Sequence, residues 1–117
     1  MAGPLEGIRI LDWSLYQMGP VATAMLADLG ASVIHIENRI SGDPGRGLKF
    51  IYGTMDNLPY ERCSFFECNN RGKKSITLDL QTQKGKEVLY RSVFLPISED
   101  GKRITHLIAA FSYKTTH

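Results

Sequence analysis

Four short stretches of this sequence hold side chains that can do chemistry. Asp43-Pro44-Gly45-Arg46 sets an acid and a guanidinium in a glycine-rich loop. Arginine grips phosphate or carboxylate with paired donors, so one use is an anion site. The plainer use is a loop ion pair worth under about 1 kcal/mol, and spacing alone favours it. Leu15-Tyr16-Gln17-Met18-Gly19-Pro20 is a turn leading into a helix, a place that suits ligand contact. On spacing alone, Tyr16 and Gln17 more simply cap and pack that turn. Arg71, Lys73 and Lys74 form a basic run that suits the phosphates of a nucleotide-like ligand or, more commonly, a solvated turn. His35 sits inside an apolar run and is expected to be packed or hydrogen-bonded rather than catalytic. His106 and His117 say little. Cys63 and Cys68 match neither a disulfide framework nor a usual metal spacing and read as two reduced thiols. No Gly-x-Gly-x-x-Gly fingerprint, Walker-type loop or Gly-x-Ser-x-Gly elbow occurs, which argues against nicotinamide, flavin and serine-hydrolase chemistry.

The elements that must hold these residues follow from period and punctuation. Ile8-Arg-Ile-Leu-Asp-Trp13 reads as a buried strand. From Pro20 the period becomes helical, with Val21, Ala24, Met25 and Leu29 expected on the packed face and Gly30 as the stop. Ala31 to Glu37 gives a second strand, so the segment is a βαβ unit with parallel strands. Residues 38–60 are rich in Gly, Pro, Asp and Asn and read as a long irregular segment. A short helix is expected within Glu61–Asn69 and a third strand over Ser75–Leu80. A helix capped by Thr82 or Gln83 then runs towards Val93. Pro96 should stop it, Ser98 to Gly101 is turn-like, and Ile104 to Tyr113 is an apolar run whose period does not choose between strand and helix.

Bulk properties narrow the function classes. The 117 residues suit one small domain. Apolar and charged fractions of 43% and 22% are ordinary for a soluble globular chain. A net charge of +2 is too small to argue for nucleic acid or an acidic membrane as partner. No apolar stretch approaches the ~20 residues that cross a bilayer. Residues 1–7 lack the basic-then-apolar pattern of a signal peptide. The expected location is therefore the cytoplasm, with a mitochondrial or peroxisomal matrix as the alternative.

The wording of the chain is more specific than its composition. Pro4-Leu-Glu-Gly-Ile-Arg-Ile-Leu-Asp12, Gly19-Pro20, Met25-Leu-Ala-Asp-Leu-Gly-Ala31 and Val33-Ile-His-Ile-Glu37 resemble family III coenzyme A transferases. Gly42-Asp43 with Arg46, Asn70-Arg-Gly-Lys-Lys-Ser-Ile-Thr-Leu-Asp-Leu80 and Lys84-Gly-Lys-Glu-Val-Leu89 continue the match in order. That family includes formyl-CoA and carnitine CoA transferases and α-methylacyl-CoA racemase. The resemblance implies an α/β fold, a Rossmann-like parallel βαβ amino-terminal region that is here incomplete. Residues 1–93 would form a partial CoA-binding region, and 94–117 a divergent tail without a family match. It implies acyl-CoA and a small carboxylic acid as substrates, no tightly bound cofactor, and full-length chains paired as interlocked homodimers. CoA moves through covalent intermediates on an aspartate.

Residue by residue, the resemblance places Gln17 beside the acyl end of CoA, with Tyr16 and Met18 touching CoA largely through backbone. Leu15 stands where formyl-CoA transferase has histidine. Asn38 stands where several members carry an arginine near the CoA phosphates, with Arg39 beside it as a substitute. Arg46 belongs to the same ligand loop. Leu78 and Leu80 match positions lining the adenine pocket, and Gln81 replaces a basic residue there. None of Asp12, Asp28, Asp43, Asp56, Asp79 or Asp100 occupies the place of the family's catalytic aspartate. The expectation is a truncated chain, inactive alone and prone to aggregate through uncovered edges. Two other readings stay open: a racemase-type member using acid–base proton transfer, and a non-catalytic CoA-binding or interaction module.

Overall fold

A computed structural model describes residues 3–51, 53–56, 58–94 and 106–109. The chain runs β1 (Arg9–Asp12), α1 (Met18–Asp28), β2 (Ser32–Asn38), a 3-10 turn (Pro44–Gly47), β3 (Phe50–Ile51), β4 (Thr54–Met55), α2 (Ser64–Asn70), β5 (Lys74–Leu78), α3 (Gln83–Phe94) and β6 (His106–Ala109). Four strands make one sheet in the order β5-β2-β1-β6. Every neighbouring pair in it is parallel. The expected βαβ unit is therefore present, and the α/β fold with it.

The apolar pattern of β1 and β2 explains the core. Ile10 and Val33 are neighbours in the register and pack with Ala31, and Leu26 and Ala27 of α1 close over them. On the opposite sheet face Leu11 and Ile36 are also buried. Successive residues of a strand point to opposite faces, so Asp12, His35 and Glu37 share the face of Ile10 and Val33. The register pairs Asp12 with His35.

Helix α1 ends as the sequence predicts. Gly30 has φ +99°, and the N–H groups of Gly30 and Ala31 reach back to the Ala27 and Leu26 carbonyls at 2.9 and 3.1 Å. That is a Schellman cap, and it needs the left-handed residue that glycine supplies. The packed face of α1 differs from expectation. Gly19, Pro20, Thr23 and Ala24 are buried, while Met25 and Leu29 are exposed. The reason is polar: Thr23 turns inward to serve a buried carboxylate, which rotates Met25 and Leu29 outward.

The irregular segment contains a 3-10 turn and a β3–β4 hairpin that the glycines and prolines disguise. The Asp43 carboxylate accepts the Gly45 N–H at 2.7 Å and starts the turn. The hydroxyl of Thr82 accepts the Gly85 N–H at 3.0 Å and caps α3. The late apolar run supplies β6, parallel to β1. Pro96, the Ser98–Gly101 turn, Asp100 and His117 lie outside the described residues.

Candidate functional site

Two buried charge clusters lie under the carboxyl edge of the sheet. The first grows from the end of β1, where Asp12 is fully buried. Its Oδ1 accepts the Ser14 backbone N–H at 3.0 Å and also the Ser14 hydroxyl. Its Oδ2 accepts the Thr23 hydroxyl at 2.7 Å and the Lys73 ammonium at 2.8 Å. Burial alone would raise the Asp12 pKa, but His35, Lys73, Ser14 and Thr23 together hold it well below the usual carboxylate range. His35 lies between two carboxylates. Its Nε2 is 2.8 Å from Asp43 Oδ2, and its Nδ1 is 3.4 Å from Asp12 Oδ2. The longer distance supports charge attraction without a well-directed hydrogen bond. Burial pulls the imidazole pKa down, and the two aspartates outweigh it, raising the value to about 9. The ring is therefore an imidazolium at neutral pH, and Nε2–H donates to Asp43.

Lys73 closes the first cluster. Its Nζ donates to Asp12 Oδ2, the Pro20 carbonyl and Asn70 Oδ1, each at 2.8 Å. The side chain is 1% exposed. Burial lowers its pKa, and the Asp12 carboxylate opposes that shift. Arg71 donates to Asp28 at 3.1 Å and to the Cys68 carbonyl at 2.8 Å. Lys73 is thus committed internally and is not a solvated residue, Arg71 forms a surface pair with Asp28, and Lys74 is exposed.

The second cluster joins β2 to the Asp43–Arg46 loop. Arg46 donates through Nε at 2.9 Å and Nη2 at 2.7 Å to the two oxygens of Glu37. The Asp43 N–H reaches Glu37 Oε2 at 3.1 Å, and the Ser75 hydroxyl donates to Oε1. The Arg46 pair is the main cause that lowers the Glu37 pKa to about 2, against the effect of burial. The Arg46 guanidinium carbon sits 3.9 Å from the centre of the Phe66 ring. Phe66 also tilts against His35, with ring centres 6.2 Å apart. Asp43 and Arg46 therefore do not pair with each other; each bonds a β2 residue. Cys63 is buried with its Sγ towards the Gly45 and Leu48 carbonyls, and Cys68 is exposed.

The sequence-predicted ligand residues gather along the carboxyl edge above these clusters. Tyr16, Gln17 and Met18 follow β1 and are all exposed. Tyr16 holds φ +65°, uncommon for a bulky residue. Its carbonyl accepts from Asn69 Nδ2 at 3.3 Å. Gln17 precedes α1 and makes no side-chain cap. Asn38 ends β2 opposite Leu78, the end of β5. Its Oδ1 accepts the Ile40 and Ser41 N–H groups at 2.8 and 3.0 Å, shaping the loop start. Leu80 is partly buried and Gln81 exposed, in the turn just beyond β5. Arg46, in the 3-10 turn, is half-exposed, with two nitrogens occupied by Glu37.

Sequence reasoning missed Asp12, Thr23, Glu37, Asn69 and the inward role of Lys73. A signal for part of this was present. Charged residues within strands that are otherwise apolar must be partnered if buried, and Asp12, His35 and Glu37 are such residues.

The sheet is parallel, in the order β5-β2-β1-β6, with β6 on the far side of β1. The fold defines an α/β domain of Rossmann-like type. The chain belongs to CoA-transferase family III, whose model matches residues 5–93. It is 43% identical over 89 residues to formyl-CoA:oxalate CoA-transferase of Afipia carboxidovorans, covering 76% of this chain and 20% of that one. A probable fatty acyl-CoA transferase of Mycobacterium tuberculosis is 39% identical over 90 residues, 77% of this chain and 22% of that one. Among solved structures, a CAIB/BAIF family protein from Brucella suis superposes with a TM-score of 0.64 at 32% identity, covering 78% of this chain and 23% of that one. The chain thus spans about a fifth of the length of the curated relatives it matches.

Proposed function

We propose that this chain carries the CoA-binding edge of a transferase that moves CoA from an acyl-CoA to a carboxylic acid. The carrying observation is that the carboxyl ends of β1, β2 and β5 stand side by side on one edge of the sheet, next to a buried charge network, within the segment matched by the family. Tyr16, Gln17 and Met18 would receive the pantetheine and acyl end. Asn38, Leu78, Leu80 and Gln81 would receive the nucleotide end, with Arg46 contributing the donor left outside its Glu37 pair. CoA arrives as part of the substrate rather than as a resident cofactor. Both substrates are soluble, which suits the cytoplasm, and among the described residues no helix is long and apolar enough to cross a membrane.

The chemistry of such a transfer needs a carboxylate nucleophile. An aspartate oxygen attacks the thioester carbonyl and CoA thiolate leaves, giving a mixed anhydride. The thiolate then attacks the aspartyl carbonyl, releasing the donor acid and leaving an aspartyl thioester. The acceptor carboxylate repeats the two steps in reverse order and departs as its CoA thioester. None of the described aspartates is presented for this role. Asp12 and Asp43 are buried and bonded within the network. Asp28 pairs with Arg71, Asp56 accepts the Ser64 N–H, and Asp79 accepts the Gln81 N–H. The nucleophile therefore comes from beyond the described residues, whose part in this reading is to bind CoA.

The test is calorimetric titration of the purified chain with CoA, together with mass-spectrometric detection of CoA exchange between formyl- or fatty acyl-CoA and free acids. Saturable binding without exchange is the expected result. Absence of binding would remove the CoA reading, and turnover would place the nucleophile within this chain.

A further inference from the structure

The turn between β1 and α1 is tied down from below at three points. At its start, Ser14 N–H bonds Asp12 Oδ1 at 3.0 Å. Just past its end, in the first turn of α1, the Pro20 carbonyl accepts from Lys73 Nζ at 2.8 Å. Midway, the Tyr16 carbonyl accepts from Asn69 Nδ2 at 3.3 Å. The first two ties meet in one ion pair, because Lys73 also donates to Asp12 at 2.8 Å. Between the ties, Leu15 to Met18 are exposed.

We propose that Lys73 is a positioning residue for CoA binding: from the α2–β5 corner it clamps Asp12 and Pro20 and so, with Asn69, holds the exposed Leu15–Met18 turn in its ligand-receiving shape. The inference rests on the reading that this turn is a wall of the CoA site.

Three observations give Lys73 that role rather than direct contact. All three of its N–H bonds are taken by protein acceptors, and its side chain is 1% exposed, so it cannot reach a ligand. Its positive charge and that of the His35 imidazolium face Asp12 and Asp43, so the cluster is balanced internally and offers little attraction to an anionic ligand. The turn it frames contains Tyr16 at φ +65°, a conformation that an aromatic residue keeps only when its surroundings impose it. A turn fixed before the ligand arrives loses less conformational freedom on binding, and that difference appears as affinity.

The sole tryptophan, Trp13, follows Asp12 directly and is 45% exposed, so its emission reports on the turn. The 117-residue chain is titrated with CoA by calorimetry and by Trp13 emission, well below each variant's melting temperature. Lys73→Met should raise the CoA Kd about tenfold or more and alter the ligand-free Trp13 spectrum. Asn69→Ala removes only the midpoint tie and carries the test if Lys73→Met fails to fold. It should raise Kd by about threefold with little change in melting temperature. A folded variant that melts earlier yet binds CoA with unchanged Kd and emission would make these residues purely structural and overturn the proposal. If the parent chain itself binds no CoA, the underlying functional reading fails with it, an outcome distinct from a parent that binds and a variant that is indifferent.

Discussion

At the scale of single residues, the most consequential feature is a histidine held charged in the interior. His35 is 1% exposed and lies between Asp12 and Asp43. Its pKa in the folded chain is about 9 against 6.5 for the free side chain. A raised value means that protonation favours the fold. The contribution is fully present below about pH 6.5 and is lost as pH rises through about 9. Its ceiling is on the order of 3 kcal/mol. The carboxylates act at the other end of the scale. Asp12 and Glu37 have lowered values, so their contribution is fully present above the ordinary carboxylate range and is lost progressively as pH falls below it, towards about 2 for Glu37 and further for Asp12. Urea unfolding midpoints should therefore fall steadily between pH 6.5 and 9. In His35→Gln the decline over that window should flatten, with lower stability at pH 6 than the parent. An identical alkaline decline in parent and variant would assign it to other groups and sink the prediction.

At the scale of elements, the order of strands and helices was legible because each carries its own period and stop. Ile8 to Trp13 and Ala31 to Glu37 alternate or run apolar, Gly30 ends α1, and Thr82 opens α3. The inward face of α1 was not legible, since apolar spacing favours Met25 and Leu29 while the actual choice is made by Asp12, which needs the Thr23 hydroxyl. The partners of Asp43 and Arg46 were hidden for a related reason. The loop is visible in sequence, but the register that brings it against His35 and Glu37 is a property of the folded sheet. The β3–β4 hairpin is too short for any period to show. One position turns local propensity against packing. Glycine to alanine inside a helix ordinarily stabilises by about 1 kcal/mol. At Gly85 a Cβ would sit 2.0 Å from the Asp79 carbonyl oxygen, backbone that cannot step aside. Gly85→Ala should instead destabilise by roughly 1–3 kcal/mol in chemical denaturation. Gly47, where a Cβ meets nothing within 4 Å, is the control; Gly47→Ala should stay within about 0.5 kcal/mol of the parent. Equal effects at the two sites would show that the close approach at Gly85 is relieved by a small backbone shift.

At the scale of the whole molecule, the surface of the isolated chain carries a stripe that its core does not use. Met18, Ala22, Met25 and Leu29 follow one another at helical spacing on the outer side of α1, and all four are exposed, Met18 by 87% and Met25 by 56%. Trp13 and Leu15, in the chain just before α1, add further exposed apolar surface. With a net charge of only +2, repulsion between copies is weak. The sheet edge at β5 is exposed but carries Lys74 and Ser75, which blunt strand-to-strand pairing. Association of purified chains should therefore run through the α1 stripe rather than the sheet edge. Sedimentation should show concentration-dependent self-association, and Met25→Lys combined with Leu29→Lys should shift it towards the monomer. Because both side chains stand outside the core, the double variant should keep its unfolding free energy within about 1 kcal/mol of the parent. Association unchanged by the two lysines, but weakened by a charge placed at Ile76 in β5, would move the contact to the sheet edge.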